Sequence, residues 1–245
     1  MAKSGSSLRQ RLLASILLAA GLAHAQTESP PVPTSGPGAP PIIVGFVGGF
    51  VRHDDLRHSE AQLAERLRAA YGNRIRAAVF ENRRGKQARR EILRWLDADH
   101  DGQTTGRERA VARIVLYGHS WGAAAAVSLA RKLHKDGIPV QLLVQVDSVA
   151  KLGQNDRHIP ANVKRAANFF QRRGVPRGRA AIAAADPART QVLGNFRLDY
   201  EKAPAECRAY PWLTRRLFRW HTAVECDPHL WSRIEALINA ELLRG

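Results

Sequence analysis

The chain has 245 residues, two cysteines and a formal net charge of +16 at neutral pH. This length is enough for one domain with a substantial core, and the charge favours non-specific adhesion to anionic surfaces such as acidic polymers, anionic lipid or nucleic acid. The basic residues are scattered through helical patterns, without zinc-finger spacing or an aromatic-plus-basic motif. A specific nucleic-acid partner is therefore not expected.

Residues 1–25 have the pattern of a secretory signal peptide. A basic start precedes an apolar run over 12–23 that is too short to span a membrane, and residues 23–25 form an A-x-A cleavage site. Residues 26–41 are rich in Pro, Gly, Ser and Thr and are expected to form a flexible leader. We therefore predict export to the periplasm or the extracellular space, with no membrane span.

If the protein is exported, its two cysteines, Cys207 and Cys226, enter an oxidising compartment. An even number of cysteines in an oxidising compartment favours a disulfide between them, which would close a loop of about 20 residues. The alternative is a pair of buried free thiols.

Apolar runs and helical periods alternate along residues 42–245. Strands are predicted over 42–47, 75–80, 114–117, 140–146 and 191–196. Helices are predicted over 56–71, 86–96, 122–135 and 228–243. This alternation predicts an α/β fold, with a mostly parallel sheet flanked by helices on both faces. Residues 151–190 show no clear strand and are a candidate cap over the carboxyl edge of the sheet.

The stretch Gly118-His-Ser-Trp-Gly122 lies between a predicted strand and a predicted helix. A G-x-S-x-G turn in this context is typical of a nucleophile elbow, in which flanking glycines allow a sharp turn that exposes the serine. Ser120 is therefore the candidate nucleophile, and an ordinary strand-to-helix turn is the alternative.

A nucleophilic serine needs a base, and the base needs an orienting acid. In the chain order Ser, acid, His, Asp147 follows the next strand and is the preferred acid. His221 precedes the last helix in a predicted loop and is the preferred base. The alternatives are Asp186 and Asp199 for the acid, and His158 and His229 for the base. His119 is assigned to packing, because adjacent side chains at a sharp turn point apart.

The oxyanion hole of such a site uses two backbone N–H groups. One belongs to Trp121, the residue after the nucleophile. The other comes from the loop after the first strand, where either Gly49 or Phe50 could supply it.

Together these motifs give the chain a resemblance to the α/β-hydrolase superfamily of lipases, esterases and thioesterases. The segments GHSWG, QVDSV and HTAVECDP resemble its elbow, acid and base segments, and the likeness covers roughly residues 42–243. The segments GHSWGAAAAVSLAR, PVQLLVQVDSVAK and GNFRLDY resemble a group of small exported bacterial proteins more narrowly. The resemblance implies a Ser120–His221–Asp147 triad and no organic cofactor.

A second motif, DADHDGQTTGRE, fits the fixed positions of a calcium-binding loop. Asp97, Asp99, Asp101 and Glu108 would supply carboxylates, and Gln103 its backbone carbonyl. Position 8 is polar, and the next strand starts too soon for a paired EF-hand. The alternative to a structural Ca²⁺ site is a polar surface loop.

These patterns favour an exported serine hydrolase that acts on a small-molecule or lipid ester or thioester. One alternative is a non-catalytic binding module on the same fold that holds anionic polymer or lipid. Another is a calcium-stabilised envelope protein. Fold alone does not name a substrate.

Overall fold

The computed structural model describes residues 39–244. The predicted signal peptide and most of the predicted leader lie outside the described residues. The described chain contains eight strands: β1 (Ile42–Val47), β2 (Arg76–Glu81), β3 (Ile114–His119), β4 (Val140–Val146), β5 (His158–Ile159), β6 (Val163–Phe170), β7 (Ala183–Ala184) and β8 (Gln191–Arg197). It contains seven α-helices: α1 (Ser59–Tyr71), α2 (Gly85–Leu96), α3 (Gly106–Ala110), α4 (Trp121–Lys135), α5 (Trp212–Leu217), α6 (Arg219–Glu225) and α7 (Pro228–Leu243).

Six of the strands form one sheet in the order β2-β1-β3-β4-β6-β8, and every pair in it is parallel. β1, β3 and β4 are almost wholly buried, as expected for central strands that are covered on both sides. β5 and β7 form a separate pair. Because all six strands run the same way, the residues that follow them meet at one carboxyl edge.

Two apolar layers fill the space between the sheet and its helices. On one face, α1 and α7 pack Leu63, Leu67 and Ile234 against the sheet. On the other face, α2 and α4 bury Ile92 and Leu129, among other residues. The predicted α/β fold with helices on both faces is therefore confirmed.

The absence of a strand from residues 151–190 was a wrong prediction. β6 lies in this segment and pairs with β4 on one side and β8 on the other. In its sequence, VKRAANFF, two cations follow the first valine and an asparagine is buried, so it has no long apolar run. Residues 163–170 therefore belong to the sheet, and they do not form part of a cap over it. The residues after β6 do approach the carboxyl edge, where Arg179 donates its backbone N–H to the carbonyl of Ser148 at 2.9 Å.

A disulfide joins Cys207 to Cys226, with Cα atoms 5.2 Å apart, as predicted. Within residues 39–244, no helix combines the length and the apolar character that crossing a membrane requires.

Candidate active site

Ser120 stands in a sharp turn between the end of β3 and the start of α4. Its backbone has φ 57° and ψ −125°, a conformation that non-glycine residues rarely adopt. Its backbone N–H donates to the carbonyl of Val146 at 2.9 Å, which fixes the turn to β4. The turn places Ser120 at the carboxyl edge of the sheet.

The two glycines of the motif are required by close backbone contacts. A Cβ at Gly118 would lie 2.6 Å from the carbonyl carbon of Gly122. A Cβ at Gly122 would lie 2.1 Å from the carbonyl oxygen of Phe46 on β1. Neither contact is tolerable, and backbone cannot move aside as a flexible side chain can. Glycine is thus needed on both sides of Ser120 because any larger residue would collide with backbone, as expected for a nucleophile elbow.

The structure brings Ser120, His221 and Asp147 into one hydrogen-bonded chain. His221 Nε2 lies 2.8 Å from Ser120 Oγ, and His221 Nδ1 lies 2.6 Å from Asp147 Oδ2. With the ring proton on Nδ1, His221 donates to the carboxylate and accepts the hydroxyl proton of Ser120. Asp147 is fully buried, whereas the other two side chains keep a small exposed fraction.

Asp147 is held by residues that follow β6. Gln171 donates its backbone N–H to Oδ1 and its side-chain amide to Oδ2, both at 3.0 Å. Gly178 packs so closely that a Cβ there would lie 1.9 Å from Oδ1. Asp147 itself has a positive φ of 43°. These contacts fix the carboxylate against His221 and leave it little freedom to rotate.

His221 lies on the short helix α6, and its predicted position in a loop is wrong. Five residues further on, Cys226 ties the end of this helix to Cys207. The alternative bases are elsewhere: His158 and His229 are both exposed, and His158 contacts Asn155. Of the alternative acids, Asp199 pairs with Arg197 at the surface and Asp186 accepts from the backbone of Ala188.

The three residues predicted for the oxyanion hole lie around the elbow. Trp121 is the first residue of α4, and its ring packs edge-on against Phe50 at 5.5 Å between centroids. Gly49 has φ 45°, and its carbonyl accepts from the Asn82 side chain at 2.5 Å. The Phe50 side chain is 86% exposed. Which of Gly49 and Phe50 faces the nucleophile stays a prediction.

A second layer of titratable side chains lies behind His221. The rings of His119 and His221 have centroids 4.5 Å apart, and His119 Nδ1 lies 3.5 Å from Glu225 Oε2. Glu225 also forms a short hydrogen bond with His58 Nδ1. Glu60, which is completely buried, lies with one carboxylate oxygen 4.0 Å from His119 Nδ1.

Burial sets the electrostatics of this layer. It lowers the pKa of His119 to about 4, although Glu225 opposes the change. It raises the pKa of Glu60 well above its usual value, with a further contribution from the charge of Glu225. Burial would also raise the pKa of Glu225, but the neighbouring His119 and His58 together lower it.

A cavity of about 490 Å³ opens at the carboxyl edge of the sheet, lined by the residues that follow Asp147 but not by Ser120, Asp147 or His221 themselves. Its walls include Ser148 and Val149, and the N–H of Val149 donates to the carbonyl of Ser120 at 3.2 Å. Four arginines also line it: Arg157, Arg172, Arg177 and Arg179. No carboxylate is among the residues that line the cavity, although Arg179 pairs with the buried Asp156 beside it.

The acidic loop 97–108 folds back on itself between α2 and β3. Asp97, Asp99 and Glu108 bring one carboxylate oxygen each within 4.8 Å of one another, and Asp101 does not join them. The Asp101 carboxylate accepts from the backbone N–H of Gln103 at 2.7 Å. Glu108 forms a capping box with Thr105 at the start of α3. The loop thus combines a cluster of three carboxylates with a helix cap that the sequence analysis did not predict.

Sequence reasoning missed Gln171 and the layer formed by His58, Glu60 and Glu225. Gln171 follows β6, the strand that was not recognised. Glu225 lies four residues after His221 on the same helix, a spacing that places two side chains on one face. The spacing of His221 and Glu225 would have predicted that they lie together only if this segment had been recognised as a helix.

No protein-family model matches the chain, and no curated protein matches it. Among solved structures, it is similar to the RedJ thioesterase from the prodiginine biosynthetic pathway of Streptomyces coelicolor, with 15% identity and a TM-score of 0.38. That match covers 83% of this chain and 91% of the other. A structure described as RedJ with a PEG molecule in the active site gives 12% identity and a TM-score of 0.41, covering 95% and 96% of the two chains.

Proposed function

We propose that this protein is an exported serine hydrolase that cleaves a carboxylic ester or thioester through an acyl-enzyme. The observation that carries the proposal is the chain of hydrogen bonds from Ser120 through His221 to Asp147, with distances of 2.8 and 2.6 Å. Nucleophile, base and orienting acid in this order are what acyl transfer requires. The strained backbone of Ser120 supports it further, because such strain collects at functional sites.

In the proposed reaction, Ser120 Oγ attacks the carbonyl carbon while its proton passes to His221 Nε2. Asp147 holds the imidazole and stabilises the imidazolium that forms. The proton then moves to the leaving alcohol or thiol as the bond to the acyl carbon breaks. Water repeats the sequence on the acyl-enzyme and frees the acid. The amide of Trp121 and that of Gly49 or Phe50 are the proposed donors to the oxyanion.

The arginine-lined cavity favours a substrate that carries an acidic group near its scissile bond. Arg157, Arg172 and Arg177 are exposed cations, and no lining residue is acidic. Planar guanidinium groups bind carboxylates and phosphates with two parallel hydrogen bonds. We therefore propose an anionic ester or thioester, from a small molecule or a lipid, as the substrate class.

Calcium binding by the loop 97–108 is proposed as a structural feature of the same protein. Asp97, Asp99 and Glu108 have the oxygen chemistry and the proximity that Ca²⁺ requires. Asp97 also accepts from the backbone N–H groups of Asp101 and Gly102, which turns the loop around its carboxylates. Gly102 has φ 84°, as expected for the glycine at the sharp turn of such a loop. Bound calcium would stabilise this connection between α2 and β3.

Hydrolysis of p-nitrophenyl esters tests the proposed function directly. The exported protein and its Ser120→Ala variant are compared over a series of acyl lengths, and each is treated with a fluorophosphonate. We expect hydrolysis and covalent labelling of the wild type only, because only an activated serine reacts. A folded wild type with neither activity nor labelling would overturn the hydrolase proposal.

A non-catalytic module for anionic lipid or polymer is the second candidate, and one surface favours it. On α5, Trp212, Leu213 and Leu217 are each at least half exposed, and Arg215 and Arg216 lie on the same helix. Exposed apolar side chains beside cations suit an anionic interface. Salt-sensitive retention of the Ser120→Ala variant on anionic vesicles, with no labelling of the wild type, would favour this candidate over the hydrolase.

A further inference from the structure

The buried layer behind His221 contains more polar atoms than its own hydrogen bonds satisfy. Neither carboxylate oxygen of Glu60 has a hydrogen-bond partner of normal geometry, and neither ring nitrogen of His119 has one. The hydroxyl of Tyr210, whose ring contacts the ring of His58, is also unpartnered. Buried polar atoms without partners cost free energy, so a cluster of them at one point indicates a missing partner.

The charges of the side chains in this layer indicate that the missing partner is a cation. Glu60 and Glu225 are both buried carboxylic acids, and the only cationic groups paired with either among residues 39–244 are histidines. No lysine or arginine of that part of the chain forms an ion pair with them. Two carboxylates in a dry site are stable only if they are protonated or neutralised by a cation.

The geometry suits a single metal ion. Two ligands that each lie about 2.1 Å from one ion can be at most about 4.2 Å apart. His119 Nδ1 meets this limit with both carboxylates, at 3.5 Å from Glu225 and 4.0 Å from Glu60. His58, Glu60 and Glu225 each offer a ligand atom, and these atoms lie within 4.8 Å of one another. His58 Nδ1 and Glu225 now share a hydrogen bond, so an ion would replace the proton between them and move these two side chains apart.

We propose that His58, Glu60, His119 and Glu225 form a zinc site. Two imidazoles and two carboxylates are a donor set that Zn²⁺ accepts in tetrahedral sites, and two carboxylates neutralise its charge. The site lies apart from the acidic loop 97–108, whose oxygen-only carboxylate donors suit calcium instead.

Such an ion would join three elements that build the active site. His58 and Glu60 lie at the start of α1, His119 is the last residue of β3, and Glu225 ends α6. Ser120 follows His119 directly, and His221 lies one helical turn before Glu225. The zinc site would therefore fix the helix of the proposed base relative to the strand of the proposed nucleophile.

Metal content and thermal denaturation test the site without measuring activity. The purified protein is loaded with Zn²⁺, freed of excess metal by gel filtration and analysed by mass spectrometry of the elements. We expect one zinc ion per chain in the wild type and background content in Glu60→Gln and His58→Gln. In buffer free of calcium, we also expect chelation to lower the melting temperature of the wild type but not that of the two variants.

Two controls locate the ion. Glu65→Gln removes an exposed carboxylate from the same helix and should keep the zinc. His221→Asn also should keep it, which separates the site from the nearby group of His119, Asp147 and His221 that could itself take a metal. Loss of zinc from His221→Asn but not from Glu60→Gln would assign the ion to that group and overturn the proposal.

The wild type alone can also overturn the proposal. If it retains no zinc after loading, Glu60 and Glu225 share a proton instead and the site is not a metal site. This result would leave the serine hydrolase proposal untouched, since fluorophosphonate labelling measures the reactivity of Ser120 independently. Conversely, if the protein binds zinc but is not labelled by the fluorophosphonate, the zinc site would be supported and the serine hydrolase proposal would be overturned.

Discussion

Gln171 binds both oxygens of Asp147, one through its backbone N–H and the other through its side-chain amide, at 3.0 Å each. The side chain also donates to the carbonyl of Pro176 at 2.9 Å, so it links the carboxylate to the segment that covers it. Gln171→Leu keeps the backbone bond and removes the side-chain bond. We expect kcat for ester hydrolysis to fall about ten- to hundredfold with little change in KM, because Asp147 would hold His221 less firmly.

A structural role alone would give a different result for this variant. If Gln171 only supported the fold, Gln171→Leu would lower the melting temperature while the kcat of the folded fraction stayed at the wild-type value. Steady-state kinetics at a temperature well below the melting transition therefore decides between the two roles.

Gly178 gives a steric test of the same carboxylate. In Gly178→Ala the new methyl group would meet Asp147 Oδ1 at 1.9 Å, so either the carboxylate or the segment must move. We expect a destabilisation of about 1–3 kcal/mol together with a loss of fluorophosphonate labelling. Gly85→Ala is the matched control, because its nearest neighbour is the flexible end of Lys132 at 3.9 Å. Normal labelling of a folded Gly178→Ala protein would contradict the tight packing described here.

The elbow and its partners could be predicted because they depend on local sequence and chain order. Gly118 and Gly122 flank Ser120 at a fixed spacing, and Asp147 follows an apolar strand. Parallel strands bring such positions to one edge, so the meeting of Ser120 with Asp147 followed from the topology. His221 was selected among three histidines by its place in the chain, and the structure places it in hydrogen-bond contact with Ser120 and Asp147.

The remaining parts of the site depend on tertiary contacts that carry no local signal. β6 was missed because Lys164 and Arg165 interrupt its pattern, and Arg165 is paired with Glu241 on α7. Gln171 was missed with it. Glu60 resembles an ordinary first-turn residue of a surface helix, since acids are favoured there. Only the packing of α1 against β3 and α6 buries it beside Glu225.

The disulfide should contribute to stability because it closes a loop in the unfolded chain, and this loop includes the helix that holds His221. Cys207 and Cys226 are 19 residues apart, so the chain-entropy model gives a contribution of about 3 kcal/mol. Replacing both with Ala should lower the melting temperature by about 6–12 °C for a domain of this size. Reductant should shift the wild type by a similar amount and leave the double variant unchanged. A wild type that is insensitive to reductant and carries two titratable thiols would contradict the bridge.

Calcium should stabilise the protein through the loop 97–108. For a dissociation constant of about 0.1–1 mM, a concentration of about 10 mM Ca²⁺ adds roughly 1.4–2.7 kcal/mol to the free energy of unfolding. We expect this gain as a rise in melting temperature that is lost in Asp99→Asn and kept in Asp199→Asn, an exposed carboxylate elsewhere. Ester hydrolysis below the melting transition should not change. Equal responses of the two variants to calcium would assign the effect to another site.

The arginine-lined cavity predicts selectivity for acidic substrates. Arg172→Ala and Arg177→Ala remove exposed cations from its wall, whereas Arg179 is left in place because it pairs with the buried Asp156. An ion pair with an exposed cation contributes about 0.5–1 kcal/mol, so each variant should raise KM about two- to fivefold for an ester with a carboxylate on its acyl chain. The KM for a neutral ester of the same length should stay unchanged.

Arg76→Ala is the matched control for this test, since Arg76 is exposed at the amino end of β2, on the opposite edge of the sheet. Added salt should raise the wild-type KM for the acidic ester and should have little effect on the neutral one, because it screens exposed charges. If the wild type hydrolyses the two esters with the same KM at low salt, the arginines do not contact the substrate. The cavity would then serve a purpose other than recognising an anionic acyl group.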